Sequence, residues 1–148
     1  MTRSPVSRAG VAATLAAALA VIAGLITLGT PSHARERRLD ELRVDDLARL
    51  SSAVDAFWTK HATLPPSLDS LASERQIDRV PKDPKTDSAY IYLPSGERSY
   101  RLCATFAQPV DSTSPASYVD RFDVGAHSWR HGAGESCFDL TVPAKETK

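Results

Sequence analysis

Cys103, Cys137, His127, His131 and Glu135 are the side chains best suited to nucleophilic, acid–base or metal chemistry, and all lie in the last third of the chain. Their spacing argues against most such chemistry. His127 and His131 are four apart and would share a face only on a helix, which Gly132 and Gly134 oppose. No GxSxG, HExxH or phosphate-binding loop occurs, and the Gly-x-Gly at 132–134 is too short to hold a nucleotide. The two cysteines form no CxxC pair, so they make a poor zinc site. Asp111, Asp120 and Asp123 could offer oxygen to calcium, but scattered aspartates are ordinarily solvated surface. The expectation is a protein with no catalytic residue, no metal and no cofactor.

What the cysteines can do is pair. An even count in an exported chain suits one disulfide, Cys103–Cys137, closing a loop of roughly 34 residues that would be worth a few kcal/mol through restriction of the unfolded chain. Two buried thiols are the alternative. Recognition is the other chemistry open to this chain. Tyr90, Tyr92, Tyr100, Phe122 and Trp129 could build an aromatic surface or a core; Tyr92, Tyr100, Trp129 and His131 are the candidate binding surface for a peptide or glycan.

These residues follow a segment that decides where they fold. Val11 to Gly29 carries no charge over 19 residues, a helix of about 28 Å against the roughly 30 Å of a bilayer's hydrocarbon core. Arg3 and Arg8 precede it without an acidic neighbour, which favours a cytoplasmic N-terminus. Arg35-Glu-Arg-Arg38 beyond it is also basic, so the flanking bias is weak. Ser32-His33-Ala34 offers the small residues a signal peptidase inspects, which makes cleavage near Ala34 the rival to a retained anchor. Either way residues 35–148 reach the same side. Two of the 18 Lys and Arg precede residue 11, leaving 16 against 18 acidic side chains; this balance supplies no basic face for nucleic acid. The expected layout is a cytoplasmic N-terminus at 1–10, a transmembrane helix at 11–29, one extracytoplasmic domain at 35–142 and a polar tail at 143–148.

Within the exported part, Glu36 to His61 reads as an amphipathic helix. Leu39, Leu42, Leu47, Leu50, Val54 and Phe57 form the apolar stripe, Trp58 widens it, and Arg, Glu and Asp take the opposite face. Pro31, after Gly29, predicts a kink or break before it. Leu64-Pro65-Pro66 stops the helix, and Ser67 or Pro66 opens a short one carrying Leu68 and Leu71. Residues 80–84 read as a turn-rich linker. Ala89–Leu93 and Ser99–Phe106 form a hairpin around Pro94-Ser-Gly-Glu, with Tyr100, Leu102, Ala104 and Phe106 on one face. Residues 107–120 read as an exposed loop, 121–124 as a short strand, and Cys137–Val142 as a strand with Phe138, Leu140 and Val142 inward. Both cysteines have the parity opposite to the apolar rows, which puts a disulfide on the face away from the helix or makes it clip a loop edge. The expected core is Leu47, Leu50, Val54, Phe57, Trp58, Leu68, Leu71, Leu102 and Phe138, in an α+β fold: one amphipathic helix packed on a small antiparallel sheet.

An apolar span, a charged helix ending in aromatics, Leu64-Pro-Pro-Ser-Leu-Asp-Ser-Leu71, Asp83-Pro84 and Tyr90-Ile-Tyr92 come in an order that resembles the pseudopilins of type II secretion systems. The resemblance covers roughly residues 11–106 and is strongest to the major, G-type members. Tyr100–Phe106 and His131–Phe138 look like small uncharacterised bacterial relatives instead. The resemblance implies a pseudopilin-like scaffold at the bacterial inner membrane, single-pass, held in lipid by residues 11–29, with its C-terminal domain in the periplasm among other membrane or periplasmic proteins. The prepilin leader is not matched: cleavage after Gly10 would place Leu15, not a glutamate, at the fifth mature position.

Overall fold

The computed structural model describes residues 8–28, 31–110, 114, 122–124 and 127–144, without the side chains of 8, 9, 25–28, 31, 123 and 124. Two compact units are present, residues 1–35 and 36–148. Helix α1 spans Arg8–Leu28, and helix α2 spans Pro31–His61. Proline at the first helical position costs nothing, because its missing N–H would have had no intrahelical partner. The side chains of α1 are described only from Gly10 to Gly24, about 22 Å of helix. Among the described residues no helix is long and apolar enough to cross a membrane.

The 36–148 unit is α+β. After α2 come α3 (Leu68–Ser73), β1 (Ile91–Pro94), β2 (Ser99–Phe106), β3 (Asp123–Val124), β4 (His127–Ser128) and β5 (Gly134–Thr141). Strands β1, β2 and β5 make one antiparallel sheet in that order, and β3 and β4 pair separately. Ser67 is the N-cap residue of α3. Ala62, at φ 56°, closes α2 in the left-handed conformation that usually falls to glycine, with its N–H on Trp58 O.

One core joins the helix to the sheet. Leu47, Leu50, Val54 and Phe57 of α2 are buried with Leu68 and Leu71 of α3, Tyr100, Leu102 and Phe106 of β2, and Leu140 of β5; Trp58 and Phe138 are partly buried against them. The helical stripe departs from the expected one at its N-terminal end. Leu42 is 38% exposed, and Leu39 only half-buried. The buried positions there are Asp40, Arg43 and Val44, which continue the three-and-four spacing of Leu47, Leu50 and Val54 more regularly than the leucines do. Charged residues are therefore not confined to the outer face of α2. Two of them occupy its inner one.

The hairpin strand starts later than expected, at Ile91, because Ala89 is held by an isolated bridge to Lys82. The last strand starts earlier, at Gly134, whose φ of 94° is open to glycine and strained for other residues. The 107–120 segment is not wholly exposed: Val110 is buried, its N–H on His131 O. Asp111 and Asp120, the side chain of Asp123, and residues 145–148 of the polar tail lie outside the described residues.

This core generates the first prediction. Leu50→Asp or Phe57→Asp buries an uncompensated carboxylate in a domain whose whole stability is about 5–15 kcal/mol, and should abolish the cooperative thermal transition followed by circular dichroism. Leu42→Asp, on the open side of the same helix, should melt within a few degrees of wild type. Equal melts for Leu50→Asp and wild type would refute the helix–sheet core.

Candidate functional site

The buried charges of α2 come first, because they position everything around them. Arg43 donates from Nη1 to Asp40 Oδ1 at 2.7 Å, one turn away on its own helix. It donates from Nε to Asp83 Oδ2 at 2.6 Å and from Nη2 to Asp83 Oδ1 at 3.3 Å. Asp40 uses its remaining capacity on the chain leaving β2, accepting the N–H groups of Ala107 at 3.0 Å and Gln108 at 2.9 Å. Asp83 Oδ1 also accepts the N–H groups of Lys85 and Thr86, both at 2.9 Å. It acts as an N-cap acts, with Pro84 in the position that tolerates proline. Asp87, in the left-handed region, closes the turn by donating its N–H to Asp83 O.

The electrostatics follow from this geometry. Burial alone would raise the Asp83 pKa, but the Arg43 guanidinium and the N–H groups of Thr86 and Lys85 outweigh it and hold the carboxyl far below its ordinary range. Burial would lower the Arg43 pKa, and hydrogen bonds to Asp83 and Asp40 raise it instead. Two tyrosines of the same stretch fasten further points. Tyr90 donates to Asp46 Oδ2 at 2.9 Å, and Tyr92 donates to Pro65 O at 3.0 Å. Burial pushes the Tyr92 hydroxyl up to about 12. The expected turn-rich linker is thus the polar centre of the domain.

The candidate aromatic surface is not a surface. Tyr100, Trp129 and His131 are buried, and Tyr92 is half-buried against the core. His131 stacks on Phe106 with ring centroids 3.5 Å apart and meets Phe122 edge-on at 5.2 Å. Trp129 sits edge-on to Phe138 at 4.9 Å. Small domains need this aromatic area inside. His131 Nδ1 lies 3.0 Å from Gly132 O, while its Nε2 is buried without a partner among the described residues. Burial lowers the His131 pKa, with Arg43 acting in the same direction and the Gly132 carbonyl and Asp40 against it.

Cys103 and Cys137 stand directly opposite each other in the β2–β5 register and are joined as a disulfide. Cys137 is exposed, on the face away from α2. An open cleft of about 1460 Å³ runs between α2 and residues 76–87. Asp45, Asp46, Arg49 and Asp55 line one wall, Arg79, Lys82 and Asp87 the other, with His127 at one end. Burial raises the Asp55 pKa, and His127 opposes it. The α2 wall is mainly acidic, and the facing wall carries both signs. Among the described residues no three His, Cys, Asp or Glu side chains are grouped to hold a metal ion.

The chain matches no known protein family, and neither curated proteins nor solved structures offer a similar protein.

Two predictions follow from the buried polar groups. Arg43→Met leaves two carboxylates facing each other inside the domain and should cost about 3–5 kcal/mol in denaturant unfolding, far more than Arg49→Met on the exposed side of α2. His131 resists protonation when folded, so its contribution is complete above its ordinary value of 6.5 and is lost as pH falls from there toward its depressed folded value. The melting temperature should therefore drop between pH 7 and pH 5, and His131→Phe should flatten that drop. An unchanged pH profile in His131→Phe would remove the histidine from the account.

Proposed function

We propose that this chain is a non-catalytic, single-pass membrane protein whose 36–148 unit works on the extracytoplasmic side through contacts with other membrane or periplasmic proteins. The observation that carries the reading is the bareness of α1. Every described side chain from Val11 to Ala23 is exposed, and Val11, Leu15, Leu19, Val21 and Ile22 are 45–67% exposed. A helix apolar on all sides and covered on none is at odds with water and suited to lipid. With the residues through Gly29 included, the uncharged run has 19 residues, about 28 Å as a helix. The Cys103–Cys137 disulfide suits an oxidising compartment.

The motif order shared with pseudopilins of type II secretion systems fits a scaffold role, although the leader those proteins carry is not matched. The alternative is a peptide- or glycan-binding module released by cleavage near Ala34. Ser32, His33 and Ala34 lie inside α2, so cutting there requires the first turns of that helix to unwind. The aromatic residues meant to form its binding surface are also largely buried. Retention of the anchor is the better reading.

Extraction and mass measurement test it together. The chain should stay with membranes through an alkaline carbonate wash, and protease should reach residues 36–148 only from the extracytoplasmic side. Its intact mass should equal the unprocessed sequence less two hydrogens. A full-length chain soluble in cytoplasm with two free thiols would overturn the reading, and a chain beginning at Arg35 would establish the released module.

A further inference from the structure

The two edges of the three-stranded sheet differ in what their backbones offer. Cys103 and Cys137 have Cα atoms 4.0 Å apart, the close spacing of a non-hydrogen-bonded antiparallel pair. Val142 N–H donates to Arg98 O just beyond the strands, which sets the same alternation independently. The even-numbered residues of β5 therefore bond to β2. The N–H and C=O groups of Glu135, Cys137, Asp139 and Thr141 point away from it, and no described strand pairs with that edge. By the same alternation, Ile91 and Leu93 bond to β2 and only Tyr92 and Pro94 face outward on β1. Pro94 has no N–H, so that edge is short and blunted. Among the described residues no strand covers the edge of β5, which runs over eight residues.

Side chains along β5 say what could fill it. Glu135 and Asp139, four residues apart, stand exposed on the outer face, where Asp139 Oδ1 accepts from Arg101 Nε of β2 at 2.9 Å in an exposed pair that a further cation can join. Phe138 points inward but is only half-buried, whereas Leu102 opposite it is fully buried. A second copy is a poor occupant. Antiparallel pairing of β5 with itself about Cys137 sets Glu135 against Asp139 twice, and like charges directly opposite destabilise a sheet. A strand with Lys or Arg opposite both acids and an apolar residue opposite Phe138 meets every requirement.

We propose that β5 is a docking edge for an extended segment of another protein, added as a fourth strand and carrying two basic residues four apart with an apolar residue beside one of them. Backbone hydrogen bonds would supply affinity, and the Glu135–Asp139 pair would supply selectivity. This deepens the interaction-module reading, on which it rests, without depending on the membrane anchor.

The test uses the full-length chain in detergent micelles with the peptide Thr-Lys-Val-Thr-Val-Lys-Thr as probe. Amide exchange followed by NMR should slow at least tenfold at Glu135, Cys137, Asp139 and Thr141, with Ser136 and Phe138 little changed because they already bond to β2. Asp139→Pro removes an outward N–H without touching the β2 ladder and should abolish that protection. Glu135→Lys should weaken binding at least tenfold, and a peptide with glutamate in place of lysine at the facing position should restore it. Protection at β1 instead, no protection at all, binding that survives Asp139→Pro, or a homodimer through β5 would each overturn the proposal. Loss of the chain from membranes would instead strike the tether, leaving the edge result readable.

Discussion

Arg43 is buried between two carboxylates, and the local geometry of the domain is largely what keeps it there. A guanidinium out of water needs its charge balanced and its donors satisfied at once. Asp40 and Asp83 do the first. Their arrangement does the second, with Arg43 donating to both. Each carboxylate is in turn held by backbone N–H groups, of Ala107 and Gln108 for Asp40 and of Lys85 and Thr86 for Asp83. One side chain on α2 thus fixes a turn some forty residues later and the exit of β2. The aromatic residues around His131 fill the space these fixed points leave.

Such a cluster is weak grounds for high stability, since well-packed apolar residues of the same volume often do as well. Its value is in register. Apolar contacts between α2 and the sheet would tolerate a helix rotated by a fraction of a turn. A bidentate contact from Arg43 to Asp83 does not, and neither does Tyr90 on Asp46. These two polar contacts at separate points along the 83–90 stretch give the helix one azimuth and one axial position, and Tyr92 on Pro65 O holds the segment that follows the helix.

Much of the secondary structure was legible because it rests on periodicity. Leu47, Leu50, Val54 and Phe57 mark the inner face of α2, and the alternation of Tyr100, Leu102, Ala104 and Phe106 marks that of β2. Opposite parity of Cys103 and Cys137 to their apolar rows foretold a disulfide on the outer face. What stayed hidden was polar. Asp40 and Arg43 look like solvated charges until their spacing to Val44 and Leu47 is followed through, since hydropathy assigns a charge outward whatever lies opposite. The string Asp83-Pro-Lys-Thr-Asp87 read only as a turn-rich linker. Asp before Pro with Thr three later is a capping pattern, and that was the available signal. His131 and Trp129 were candidates for a binding surface because aromatic residues suit a surface or a core alike, and the demand of a small core for aromatic volume put them inside.

Two fastenings hold β2 to the rest, and they answer to different conditions. The disulfide ties β2 to β5 on the outer face through a bond that depends on the redox state of the compartment. The Arg43 cluster ties the end of β2 to α2 on the inner side through charges that depend on pH and not on thiols. By this division folding around α2 need not wait for oxidation. Pairing of Cys103 with Cys137 then restricts the unfolded chain between them. That interval includes Phe122, Trp129 and His131, so the covalent loop encloses the aromatic half of the core, the part that α2 does not reach by polar contacts of its own. The same bond stiffens β5, which like β1 pairs with β2 alone among the described strands. An edge strand with one neighbour is where such a sheet would fray first, and closing it covalently to β2 leaves its outer backbone ordered.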